Sequence, residues 1–388
     1  MNDSNELDML RAAADSGAPD DLHRYGAALV AALRMDDAFD AYSRAADAGH
    51  AAALLEQGRM RMYGVGTTTD IARAVQAFER AEAAGQPIAG YFLALIGLGD
   101  TAVPRDARVG ERLLAAVQAG HPPALRATAI HFGRKPNLQD QALAIQLLDH
   151  AAGRGDAIAA HLLAERVRRG EGCTAQPEAA AQLKARLREG GFDYLPEIIA
   201  VPAAPKRPSP PSTLALDEVL DPPEAEVLAE SPRIAQVDGL LSVDECRLLV
   251  AMAQPLLRAA AQAPGIGEVP RVSFDPLLED IALRLVQLRL AAAAGMELVD
   301  AEPLVVARVA PGDQPVSPDA AEGGEDRERA VYACLATGKG GARLRFPGGV
   351  VVDAEAGRAV VADAPGAMIE GDGWFAALPL ASRRQRDY

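Results

Sequence analysis

Two hydrophobic periods divide the chain. Up to about residue 190, apolar positions recur at helical spacing; Ala74, Ala77, Phe78 and Ala81, for example, fall on one face of a helix. From Leu304 onward the pattern shortens to runs bounded by glycine turns, which predicts strands over 304–309, 330–336, 343–346, 350–352, 358–361 and 374–378. The separating turns are Gly338-Lys-Gly-Gly341, Pro347-Gly-Gly349 and Ala354-Glu-Ala-Gly357. Between these regions a short strand is expected at 234–237. A helix follows the capping-box pair Ser242 and Glu245, and a second helix over 277–294 carries Leu278, Ile281, Leu285 and Leu288 on one side.

The helical half also repeats on a longer scale. Ala/Gly phrases close at Gly17, Gly49, Gly85, Gly120, Gly155 and Gly190, at intervals of 32 to 36 residues. Each period holds two helical patterns around a polar or glycine-bearing turn, most plainly 51–63 and 71–84. Asp70 is placed to cap the second helix, and Gly85 to end it in a left-handed turn. A helix pair of this size cannot bury its apolar face alone, so stacking into an α-solenoid is implied.

Composition narrows the picture. At 388 residues, two or three domains are expected, and 4% aromatics with abundant alanine suit close helix packing. A net charge of −15 opposes partnership with nucleic acid or an anionic membrane surface. Cys173, Cys246 and Cys334 form no Cys-x-x-Cys pair, so neither a disulfide framework nor a zinc site is indicated. The acidic first residues lack an apolar leader, and no run approaches ~18 apolar residues, so the expectation is a cytoplasmic protein without membrane insertion. Six prolines between Pro196 and Pro211 read as a semi-rigid spacer. The expected organisation is thus a solenoid over 1–195, a linker over 196–230 and a β-rich domain over 231–388.

Tyr63-Gly-Val-Gly66 and Ala81-Glu-Ala-Ala-Gly85 carry a resemblance to Sel-one-like repeats, relatives of tetratricopeptide repeats, over roughly 18–190 as five units. The first unit, with its short 33–37 connection, and the third, with Leu98-Gly-Asp100 and Pro104, depart from the pattern. The resemblance implies a scaffold that binds a protein partner through its first helices, where Glu56, Arg59, Arg126 and Glu165 are the candidate contacts. All six histidines lie in this half, and His50 and His121 each follow a repeat glycine. They read as turn and helix-surface residues rather than metal ligands.

The C-terminal part resembles prolyl 4-hydroxylase-like 2-oxoglutarate/iron(II) dioxygenases. The motifs are Leu241-Ser-Val-Asp-Glu-Cys246, Arg271-Val-Ser273, Gly340-Gly341, Phe346-Pro347 and Gly357-Arg-Ala-Val-Val361. The resemblance implies a double-stranded β-helix, or jelly-roll. In that family a Tyr-x-Pro-Gly turn leads into His-x-Asp, and a later His before a Pro-Leu or Pro-Val pair completes an iron site. Here Pro311 and Gly312 keep the turn, but Pro318, Ala320 and Phe375 fall on the ligand positions, and no histidine follows His161.

The expectation is therefore no catalytic residue, no metal ligand and no cofactor. Iron(II) and 2-oxoglutarate enter only under the alternative of an active dioxygenase hydroxylating a protein. Asp319, Glu322, Glu325 and Asp326 read as an acidic surface loop rather than an oxygen-only metal site. The 2-oxoglutarate-gripping slot falls on Gln385, which leaves Arg384 and Arg386 as candidate anion-binding residues. The functional expectation is a repeat-scaffold adaptor carrying an oxygenase-like domain without iron ligands.

Overall fold

A computed structural model describes residues 3–201, 209–261, 270–274, 276–313, 317, 326–363 and 366–388. The chain divides into two compact units, residues 1–121 with 387–388, and residues 122–386.

The first unit holds α1 (Asp3–Ala14), α2 (Pro19–Ala31), α3 (Met35–Asp47), α4 (Ala51–Tyr63), α5 (Ile71–Ala83), α6 (Pro87–Gly97) and α7 (Ala107–Gln118). Its helices start and stop where local chemistry dictates. The Asp70 carboxylate accepts the Arg73 N–H at 2.9 Å, and His50 caps α4 by accepting the Ala53 N–H on Nδ1 at 3.1 Å. Ile71, Ala74, Ala77, Phe78 and Ala81 form the buried face of α5. Helices cross closely because small residues meet large ones. A Cβ added at Gly58 would lie 2.5 Å from the Phe78 ring, and one at Gly26 would lie 2.7 Å from Tyr42. That packing is the physical use of an alanine- and glycine-rich sequence.

The repeat glycines Gly17, Gly49, Gly85, Gly120 and Gly155 all have positive φ, between 72° and 90°. Gly190 does not: its φ is −76°, it is the helix C-cap, and Gly191 takes the left-handed turn with φ 85°. The last repeat therefore ends one residue later than its glycine spacing implies.

The second unit opens with α8 (Pro122–Gly133), α9 (Leu138–Gly153), α10 (Ala157–Arg169) and α11 (Pro177–Glu189), two further helix pairs. The stretch expected to be a spacer contains two elements, α12 (Leu216–Leu220) and β1 (Glu226–Glu230). β1 is a largely exposed strand paired antiparallel to β2 (Arg233–Val237), so no apolar alternation announced it. Then come α13 (Val243–Ala261), β3 (Arg271–Ser273), α14 (Ile281–Ala293), β4 (Val305–Val309), β5 (Arg327–Arg345), β6 (Val351–Asp353), β7 (Ala359–Ala362) and β8 (Met368–Ala381).

The capping box forms reciprocally: the Ser242 N–H donates to Glu245 Oε2 at 2.7 Å, and the Glu245 N–H donates to Ser242 Oγ at 3.3 Å. α14 starts later than its apolar pattern suggested, because Asp280 caps it by accepting the Leu283 N–H at 2.8 Å. Pro276–Leu278 instead form a 3-10 turn.

The strands make one antiparallel sheet in the order β1-β2-β7-β5-β8-β4-β3, with β6 paired to β5. An antiparallel sheet of this kind is compatible with the expected jelly-roll. One expectation is corrected: 330–336 and 343–346 are not separate strands. Gly338-Lys-Gly-Gly341 forms an irregularity inside β5, where the pairing with β8 shifts between Thr337 and Ala342. The long partner β8 runs beside both halves, from Arg327↔Ala381 to Arg345↔Met368, and holds them as one strand. Ile234, Val309, Tyr332, Phe346, Ile369 and Phe375 belong to the core this sheet encloses. Among the described residues, no helix is long and apolar enough to cross a membrane.

Candidate functional site

Pro318 and Ala320, the first two positions set against the iron ligands, lie outside the described residues, as do Asp319, Glu322 and Glu325. Phe375 is described. It sits on β8 opposite Ala307 of β4 and Cys334 of β5, with 0% of its surface exposed. Val309, Tyr332, Phe346 and Ile369 share its hydrophobic cluster. The residues around Phe375 do not fit an iron centre. The ring has no donor atom, its cross-strand neighbours include an alanine, and burial pushes the Cys334 thiol up to about 12, far from the thiolate form.

Both candidate anion residues make hydrogen bonds within the protein. Arg386 is committed within the protein: it donates to Glu279 Oε1 at 2.7 Å, to the Ala301 carbonyl at 2.8 Å and to the Glu302 carbonyl at 2.9 Å. Glu279 is itself buried and also accepts from Gln287 at 3.0 Å. Arg386 is therefore corrected from a free anion-binding residue to a structural one, because its charge already neutralises a buried carboxylate. Arg384 is exposed, and its Nε donates to the Arg386 carbonyl at 2.6 Å.

Of the candidate partner residues, Glu56 and Arg59 stay accessible on α4. They pair with each other at 3.0 Å, and the Arg59 guanidinium lies 5.7 Å from the Phe92 ring centre. Arg126 and Glu165 are buried. Arg126 is paired with Asp156 and Asp280, and Glu165 with Lys184 and, at 2.9 Å, Arg168. Their assignment to an open face is corrected. Helical spacing placed them on first helices, but Asp280 at the start of α14 covers one and α11 covers the other.

What the fold assembles instead is a lattice of charge across α9, α10, α13, α14 and the turn after α8. Arg166 Nε donates to Asp244 Oδ2 at 2.8 Å, and its Nη1 donates to Gln141 Oε1 at 2.8 Å. Arg247 donates to Asp244 Oδ1 at 2.9 Å and to both oxygens of Glu171 at 2.7 and 2.9 Å. Glu245 receives Arg134 and Arg289. Burial alone would raise the carboxyls of Asp244 and Glu245. The flanking arginines outweigh it and hold both below their usual range. Burial and the nearby charge of Arg134 push Arg289 down to about 9, still charged at neutral pH. The sequence signal for this lattice was faint: Arg166 and Arg289 sit on helices whose other buried positions are mostly apolar.

The described residues include no group of three or more His, Cys, Asp or Glu side chains arranged to hold a metal ion. The architecture is a repeat-and-sheet protein: helix-turn-helix repeats followed by an antiparallel β domain. No protein-family model matches the chain, and no curated protein matches it. Among solved structures, it is similar to a protective antigen of uropathogenic Escherichia coli displaying an SLR fold, at 22% identity and TM-score 0.39. That match covers 48% of this chain and 41% of that one, so this chain spans less than half of that protein. A Sel1 repeat protein from Oxalobacter formigenes is similar at 21% identity and TM-score 0.40, over 48% of this chain and 84% of its own. A prolyl-4-hydroxylase from Pseudomonas putida is similar at 19% identity and TM-score 0.30, over 39% of this chain and 92% of its own.

Proposed function

We propose that the chain is an interaction scaffold whose repeats bind a protein partner and whose oxygenase-like domain carries out no iron chemistry. The observation that carries this reading is the full burial of Phe375 in the β-sheet core, at the position where the dioxygenase resemblance requires a histidine. An iron site needs imidazole or carboxylate donors converging from one side, and a packed phenyl ring occupies that position. The net charge of −15 supports a protein partner over nucleic acid. Glu56 and Arg59 on α4 are the proposed partner contacts, since both keep an accessible surface.

The test is direct. Protein loaded with iron(II) without oxygen and then dialysed should retain no stoichiometric iron, and should release no succinate from 2-oxoglutarate above background. One retained iron per chain, with succinate formed, would establish the dioxygenase reading instead.

A further inference from the structure

At the turn between α8 and α9, three buried polar side chains serve a segment of the chain remote in sequence. Lys135 is 3% exposed, and its ammonium donates to Ser209 Oγ and to the Thr213 carbonyl, each at 2.6 Å. Asp140 is 0% exposed, and its Oδ1 accepts the Ser212 N–H at 2.6 Å. His131 is 3% exposed, with Nε2 3.4 Å from the Thr213 carbonyl and Nδ1 without a hydrogen-bond partner among the described residues. At the rim, Gln139 Nε2 donates to Ser212 Oγ at 2.9 Å.

Part of the receiving side is held by contacts of its own. Asn137 donates to the other oxygen of Asp140 at 2.5 Å, and Gln141 ties the carbonyls of Gly133 and Lys135 at 2.9 and 2.5 Å. The Lys135 ammonium also lies 5.5 Å from the Phe132 ring centre. The segment is organised like a ligand. Its Ser209 N–H closes onto its own Glu218 at 3.0 Å, and Glu218 lies 4.0 Å from Lys135. Pro210, Pro211, Ser212 and Thr213 remain exposed, while Val219 on α12 is buried. The segment is thus held mainly through backbone and hydroxyl atoms plus one carboxylate, a mode that reads chain shape and charge more than side-chain identity.

We propose that the α8–α9 turn is a peptide-binding site occupied in cis by residues 209–220, and that it takes in trans a Ser-Pro-Pro-Ser-Thr turn followed by an acidic short helix. The inference rests on the interaction-scaffold reading and names the ligand chemistry of one repeat. The cis segment then acts as a competitor that lowers apparent affinity by the fraction of time it occupies the site.

The experiment uses the full chain and a fluorescein-labelled synthetic peptide of residues 209–220, followed by anisotropy. Ser212→Pro removes the N–H that Asp140 accepts and cannot adopt the Ser212 φ of 59°, so it frees the cis segment. Hydrogen exchange over 212–220 confirms release. The Ser212→Pro protein should bind the peptide about tenfold or more tighter than wild type. Adding Lys135→Met should abolish that binding, and adding the milder Gln139→Ala at the exposed rim should weaken it severalfold. A scrambled peptide should bind neither protein. Equal binding by wild type and Ser212→Pro, with the segment shown to be released, would overturn the proposal, as would insensitivity to Gln139→Ala in a normally folded protein. The iron and succinate assay is independent of this titration, so failure of one reading is told apart from failure of the other.

Discussion

Arg166 on α10 and Asp244 on α13 meet with both side chains 1% exposed, the guanidinium Nε donating to Oδ2 at 2.8 Å. A pair this deep has lost its hydration, so removing one partner strands the other charge. Asp244→Ala should destabilise residues 122–386 by about 3–5 kcal/mol, read by denaturant unfolding. The double variant Arg166→Met/Asp244→Leu should recover a large part of the loss, because no unpaired charge then remains on α10, and Arg247 keeps Glu171. A single-variant loss under about 1 kcal/mol would show that water reaches the pair.

Repeat glycines differ in what they tolerate. Gly85 has φ 83° and open space around an added Cβ, so Gly85→Ala should cost only the backbone strain, about 1–2 kcal/mol. Gly66 in the first unit and Gly172 in the second hold equivalent loop positions. A Cβ at Gly66 would meet the Met35 carbonyl at 2.2 Å, and one at Gly172 the Gln141 carbonyl at 2.3 Å. Gly66→Ala and Gly172→Ala should therefore lower the melting midpoint more than Gly85→Ala does. The reverse order in thermal melts would mean the loops do not pack on those carbonyls.

His131 and His161 make the stability of the second unit sensitive to acid. Burial, and then Lys135 for the first and Lys184 for the second, push each to about 4 in the folded chain against 6.5 when free. Thr213 and Glu218 oppose the shift at His131, and Glu165 and Asp193 oppose it at His161. Between pH 6.5 and 4 the unfolded chain binds protons the folded chain refuses, so stability falls as pH drops through that window. The cost is up to roughly 3 kcal/mol per histidine and is absent above it. Paired carboxylates lose stability in the same direction, so the test is a difference. His131→Asn and His161→Asn should each flatten the slope of unfolding free energy against pH between 6.5 and 4. An unchanged slope would mean the ring is solvated.

Phe375 fills space at the centre of the sheet. Phe375→Ala should open a cavity costing about 3–5 kcal/mol, measured by urea unfolding. Tyr332, whose hydroxyl accepts the Gly366 N–H at 2.9 Å and the Ala367 N–H at 3.3 Å, should lose about 1–2 kcal/mol on replacement by Phe, since these hydrogen bonds go and the ring stays. A Tyr332→Phe loss as large as that of Phe375→Ala would place the burden on the hydroxyl rather than on packing.

The sequence by itself determined whatever depends on neighbours along the chain. Helix caps at Asp70 and at the Ser242–Glu245 box, the left-handed glycines, and the small apolar face of α5 all follow from local hydrogen bonding and 3.6-residue periodicity. Only the tertiary structure decided what depends on partners far away. It joined two expected strands into β5, because β8 lies beside both, and it gave exposed β1 a partner in β2. It also turned Arg126, Glu165 and Arg386 from surface candidates into counter-charges within the fold, because Asp280, Lys184 and Glu279 arrive from distant positions. Side-chain spacing fixes which face of a helix a charge occupies. Whether water or a carboxylate meets it there is set by packing, and packing is non-local.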